Sequence, residues 1–228
     1  MSKFANLKTP NIINFFWNYI NQILKDLWKI CGTASATSTI VGGKESKAHA
    51  YPWQALVMYL QELDSFDYEE SDKDVEVSAD VQKAVENCGG FLVSSRHVMT
   101  AAHCVKGRTI QNTVVFLGQH DVKGLGLMTP DKYESLDHIA IYPEYSNWNV
   151  SSDIALLTLS NEIKLSSKIS PLCLPKDANL KYVGKEVTVA GWGMVDKGKK
   201  IVSDKLMEVN LEIISNGKCR ESWKFIKE

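Results

Sequence analysis

The amino-acid sequence predicts an all-β fold, an antiparallel barrel or sandwich, on three observations. Beyond residue 40, short apolar runs of strand length are separated by turn residues. One run, residues 206–214, alternates cleanly, with Met207, Val209, Leu211 and Ile213 on one face. Helical periodicity is almost confined to the first thirty residues.

The elements follow in order. Ile12, Phe16, Ile20, Ile23, Leu24 and Leu27 recur at helical spacing, opposite Asn14, Asn18, Asn21, Gln22, Lys25 and Lys29. This predicts an amphipathic helix over 12–30 that docks on a membrane or partner, packs within the molecule, or is the remnant of a longer propeptide. Polar residues interrupt every turn, whereas a secretory signal needs a continuous apolar core of about 7–15 residues. The expectation is that the true start lies upstream, the alternative being a degenerate signal. Small residues at 32–39 (GTASATST) predict a flexible linker. Residues 53–60, 90–93, 114–117, 139–141, 154–159, 187–190 and 206–214 are the candidate strands. Between the first two lies an insert, 61–87, with ten acids against Lys73 and Lys83. It carries −8, so a chain of net charge −1 holds +7 elsewhere. The insert reads as a solvated loop with a short helix around 79–87, the alternative being an exosite for basic surfaces. Residues 172–175 (LCLP) suit a linker between halves, and Ser215 or Asn216 can cap a last helix running toward Phe225.

Composition narrows the function classes. With 228 residues, 44% of them apolar and 23% charged, the chain suits one large globular domain or two small ones. Its near-zero net charge gives no case for a nucleic-acid partner or an anionic membrane. No stretch is long and apolar enough to span a bilayer. Cys31, Cys88, Cys104, Cys173 and Cys219 form no Cys-x-x-Cys pair, which argues against a zinc ribbon and for disulfides in an oxidising compartment. An odd count leaves one without a partner.

Residues 100–104 read TAAHC. Alone, a histidine among small residues is more often structural than catalytic. Here it stands between IVGG at 40–43 and CGG at 88–90 on one side, and SDIALL at 152–157 and GWG at 191–193 on the other. In this order the motifs resemble the trypsin/chymotrypsin family of serine proteases, over residues 31 to about 220. The resemblance implies a double antiparallel β-barrel, with the first barrel nearly complete across 40–160 and the second truncated. It divides the chain into a propeptide with helix and linker, 1–39, and a peptidase domain, 40–228, incomplete at its C-terminus.

The resemblance also assigns roles. His103 is the general base that takes a serine's proton, and a buried Asp153 fixes the imidazole's tautomer and stabilises its cation. The family's nucleophile lies in a Gly-Asp-Ser-Gly-Gly turn, which this sequence lacks, so the chain as given is expected to be inert. The oxyanion hole and the primary specificity pocket belong to the same absent region. Cleavage between Thr39 and Ile40 corresponds to zymogen activation. That step usually follows Arg or Lys, so Thr39 implies an activator preferring small residues, or no activation. The implied disulfides are Cys88–Cys104 and Cys31–Cys173, with Cys219 pairing to a cysteine outside the sequence. The expected partners are protein or peptide substrates and protease inhibitors, with no nucleic acid or membrane. The protein is expected to be secreted and to need no cofactor. No metal is expected, because LGQHD at 117–121 puts Gln119 where calcium-binding relatives have a carboxylate. Asn149, in Asn149-Val150-Ser151, is a glycosylation acceptor. The rival reading is a non-catalytic homologue acting as a binding or regulatory module. A second barrel with two strands cannot close, so the isolated chain is expected to aggregate or fold only in its N-terminal half.

Overall fold

The computed structural model describes residues 31–32, 43–59, 87–123, 125, 133–175, 181–196 and 201–224. The helix expected over 12–30, Thr39 and Ile40 lie outside the described residues, as does the acidic insert apart from Asn87. The described strands are β1 (Lys44–Glu45), β2 (Gln54–Tyr59), β3 (Asn87–Ser94), β4 (His97–Thr100), β5 (Thr113–Leu117), β6 (Glu134–Ile141) and β7 (Ala155–Leu159). They continue as β8 (Glu186–Gly191), β9 (Met194–Asp196), β10 (Ile201–Val202) and β11 (Met207–Glu212). A single turn of helix, α1 (Ala102–Val105), follows β4, and α2 (Asn216–Lys224) follows β11. Asn87, expected to end a short helix, instead opens β3 and pairs with Met58.

Six strands close into an antiparallel barrel in the order β2-β3-β4-β7-β6-β5. Closure removes the edges that an open sheet would expose. Val57, Leu92, Val98, Val115, Leu136, Leu157 and Leu159 fill the interior. The other faces of β2, β5 and β7 are also buried, which is why these strands read as continuous apolar runs. Leu56, Met58, Val114 and Phe116 pack against Trp192 and Leu206 from the second half. On another flank Val93, Met99 and Leu156 meet Cys31 and Leu174. β4 was not among the expected strands because HVMT begins and ends on polar residues. Both ends are satisfied inside: Ser94 Oγ lies 2.7 Å from His97 Nδ1, and Thr100 Oγ1 donates to the Gly89 carbonyl at 2.8 Å.

One expectation needs correction. β1 lies within the span of 40–160 expected for the first barrel, but it pairs instead with β11 through Lys44↔Glu208 and Glu45↔Met207. It completes a three-stranded sheet, β1-β11-β8, beside a small β9–β10 hairpin. Burial along β11 and its flanks does not follow the apolar alternation. Leu206 and Glu208 are buried, while Leu211 on β11 and Val189 on β8 are about half exposed, at 51% and 49%. Glu208 tolerates burial because Tyr51 Oη donates to its Oε2 at 2.5 Å and Lys44 Nζ lies 3.4 Å from Oε1. Burial and that bond together push the Tyr51 phenol up. At the end of β11, Ser215 Oγ accepts the Lys218 N–H at 3.2 Å, capping α2.

Candidate active site

The TAAHC segment folds as β4 running into α1. Ala102, Cys104 and Val105 are buried in the barrel core, so the one-turn helix has a single outward residue, His103. Small side chains at 101 and 102 let the turn seat against the barrel's end. A disulfide between Cys104 and Cys88 of β3 ties it down. Asp153 arrives from the loop joining β6 to β7, fifty residues on in the chain.

The two side chains meet twice. Asp153 Oδ1 accepts the backbone N–H of His103 at 2.8 Å, and Oδ2 lies 2.7 Å from Nδ1. With a carboxylate at Nδ1, that nitrogen carries the proton and Nε2 is left as the acceptor. The imidazole is 57% exposed, so Nε2 is accessible. Cys104 Sγ, 3.4 Å from Nε2, is a disulfide sulfur with no proton to give. Partial burial pushes the Asp153 carboxyl up. The side-chain bond and backbone N–H of His103, its charge, and the Ala102 N–H outweigh this and hold it below the usual carboxylate range.

Asp153 is less enclosed than expected. Its side chain is 22% exposed and borders an open cleft lined by Gln54, Gly90, Phe91, Thr100 and Ala190. The described residues supply no wall on that side. On the other side of His103 lies a second cleft of about 390 Å³, lined by Tyr59, Asn87, Arg108 and the Cys88–Cys104 disulfide. The Arg108 guanidinium stacks 4.3 Å from the centroid of the Tyr59 ring. Together the pair presents an accessible imidazole nitrogen, with its tautomer fixed, between two grooves.

The other sequence-derived residues are dispersed. Cys31 is bonded to Cys173, and the Gly32 N–H donates to the Pro171 carbonyl beside that link at 3.0 Å. Cys219 on α2 is a free thiol. Asn149 is exposed, with Oδ1 accepting the Ser151 N–H at 3.2 Å. Gln119 folds its amide onto the Leu117 carbonyl at 3.3 Å. Cys88 and Cys104 approach His103, but their sulfurs are bonded to each other and are not thiolate ligands. Sequence reasoning missed the clamp that holds β1. It consists of Lys44 and Tyr51 on Glu208, with His120 Nε2 at 3.0 Å and Lys205 Nζ at 3.4 Å from Glu45 Oε1. No local pattern announces partners so far apart in the chain.

Comparison with known proteins agrees with this geometry. The family model described as Trypsin matches residues 40–228. The serine protease filzig of Drosophila melanogaster is 32% identical over 80% of this chain and 10% of its own length. The venom serine protease Bi-VSP of Bombus ignitus is 34% identical over 85% of this chain and 50% of its own length. Granzyme B of Rattus norvegicus is 37% identical over 79% and 62% respectively. Among solved structures, one titled "Structure of GrC" superposes with a TM-score of 0.60 at 31% identity, covering 80% of this chain and 69% of that one. The chain thus spans between a tenth and about three-fifths of the length of these three curated relatives.

Proposed function

This chain belongs to the trypsin family, and from that premise we propose that it is part of a secreted serine endopeptidase made as a zymogen. The observation that carries the reading is the two-point contact between Asp153 and His103. His103 Nε2 takes the proton of a serine hydroxyl as that oxygen attacks a peptide carbonyl, then returns it to the leaving amine. Asp153 keeps the proton on Nδ1 and stabilises the imidazolium formed on the way. The substrates are proteins or peptides, and protease inhibitors are the natural antagonists.

The nucleophile comes from sequence beyond these residues. Among the described residues no hydroxyl lies within hydrogen-bond distance of Nε2, the cleft beside Asp153 is open, and the apolar face of β8 and β11 is partly exposed at Val189 and Leu211. One further segment carrying the serine and the remaining strands of the second barrel fills all three gaps and brings a partner for Cys219. Residues 1–39 act as the propeptide, which the Cys31–Cys173 bond keeps attached after cleavage between Thr39 and Ile40. Asn149 carries a glycan on the loop before Asp153. A second reading, a non-catalytic regulatory homologue, draws its support from Thr39, which a trypsin-like activator does not cut after.

Labelling with a fluorescent phosphonate that reacts with activated serines tests the proposal. The 228-residue chain is expected to remain unlabelled. The product of the complete reading frame, once activated, is expected to label, and to lose the label when His103→Ala is introduced. A stop codon directly after Glu228, or a complete product that never labels, transfers the case to the regulatory homologue.

A further inference from the structure

The loop that delivers Asp153 is held in an unusual backbone conformation. Val150 has φ of 51° and Ser152 has φ of 55°, both in the left-handed region. That region is sterically costly for residues with a Cβ, and most of all for a β-branched one such as Val150. Neither residue is placed there by packing, because both are exposed. The loop's own hydrogen bonds impose it. The Ser146 N–H donates to the Ser151 carbonyl at 3.1 Å, and the Ser151 N–H donates to Asn149 Oδ1 at 3.2 Å. Directly after Ser152 the chain reverses in a three-residue turn centred on Asp153, with the Ile154 N–H donating to the Ser152 carbonyl at 2.8 Å. Ile154 is pinned in turn, its carbonyl accepting the Tyr142 N–H at 3.0 Å.

From this arrangement we infer that Ser152 is a positioning residue for the His103–Asp153 pair, acting through its backbone rather than its hydroxyl. The inference rests on the reading of that pair as base and orienting carboxylate. A carboxylate at the centre of so short a turn has its Cα and Cβ directions set by the residues on either side. The left-handed Ser152 turns the chain so that both Asp153 oxygens face α1. There one oxygen takes the His103 backbone N–H while the other takes Nδ1. With Ser152 in an ordinary extended or helical conformation, the carboxylate leaves α1 and the imidazole loses the bond that fixes its tautomer. The Ser152 hydroxyl forms no hydrogen bond among the described residues, so the side chain itself is dispensable.

The ring nitrogens of His103 report the effect. The ¹⁵N shifts of the neutral imidazole give the ratio of its Nδ1–H and Nε2–H forms. They are measured on the full chain labelled at its five histidines, with His103→Gln for assignment. The native chain is expected to hold the Nδ1–H form. Ser152→Gly, which accepts a positive φ freely, is expected to keep it, whereas Ser152→Val shifts the ratio toward Nε2–H by about fivefold or more. Asp153→Asn serves as the reference for a lost carboxylate. If Ser152→Val leaves the ratio native while Asp153→Asn shifts it, the inference fails and the reading of the pair stands. The inference also fails if Ser152→Gly is as disruptive as Ser152→Val, because the hydroxyl would then be the active part. If Asp153→Asn shifts nothing, the pair does not control the imidazole and both fall. Where the Val variant fails to fold, Ser152→Ala, which also disfavours a positive φ, takes its place with the same two outcomes.

Discussion

His97 carries a titratable ring where the barrel has little room for charge. It is 9% exposed, and burial, followed by the positive charge of Arg96, lowers its pKa to about 4. In the unfolded chain it titrates near the ordinary value of about 6.5. The unfolded state therefore binds more protons between those two values, and native stability falls as pH drops through that window. The stability is present in full above about pH 6.5 and is lost by pH 4, a change of about 3 kcal/mol. Substituting His97→Gln, which keeps a partner for Ser94 Oγ, is expected to flatten this dependence. Urea midpoints at pH 7 and pH 4.5 check it, and an unchanged pH slope in the variant refutes the assignment to His97. At this scale the sequence is legible where chemistry is local. TAAHC and SDIALL mark His103 and Asp153 by their immediate neighbours. It is silent where a side chain's state depends on distant strands: nothing in HVMT says that β7 will cover His97, or that Ser152 will adopt a left-handed backbone.

Between strands, the two glycines of CGG are not equivalent. A Cβ on Gly90 would meet the Met99 carbonyl oxygen at 2.9 Å and Val98 Cγ1 at 3.2 Å, so β3 and β4 would have to part. On Gly89 the nearest atom is the far end of Gln54, at 3.8 Å, an ordinary contact. Gly90→Ala is therefore expected to cost about 1–3 kcal/mol of stability, and Gly89→Ala well under half of that. Equal shifts of the urea midpoint would contradict the close approach at Gly90. Opening the Cys88–Cys104 link by the double substitution Cys88→Ala and Cys104→Ala is expected to cost about 3 kcal/mol, given the short loop it closes. A fall in melting temperature under non-reducing conditions measures that cost. Sequence reading finds the strands buried on both faces, such as β2, β5 and β7, by their unbroken apolar runs, and the more exposed β8 and β11 by runs that are apolar or alternate. β1, β9 and β10 escape it, being two or three residues long and defined by their partners rather than by pattern.

The molecule as a whole is closed in one half and open in the other. The N-terminal barrel has no free edge, and its interior is mainly apolar. The second half presents Val189, Met194, Val202 and Leu211 to solvent, each between 49% and 61% exposed, on strands that run side by side or close in sequence. Clean alternation in 206–214 identified the strand but not the face it buries. The pattern records the surface the sequence is built to cover, and in this chain that surface is only partly covered. An apolar patch on a two-sided sheet draws copies of the molecule together, because association removes it from water without any specific fit. The 228-residue chain is therefore expected to self-associate at micromolar concentration while its barrel stays folded. Sedimentation velocity should show mass rising with concentration, and a cooperative urea transition should persist for the barrel. The double substitution Val189→Lys and Leu211→Lys places two like charges near each other on that face, and is expected to shift the chain toward monomer with the barrel's transition unchanged. A native chain that stays monomeric, or a variant that associates as strongly as the native protein, would show that the β8–β11 face is not what holds the copies together.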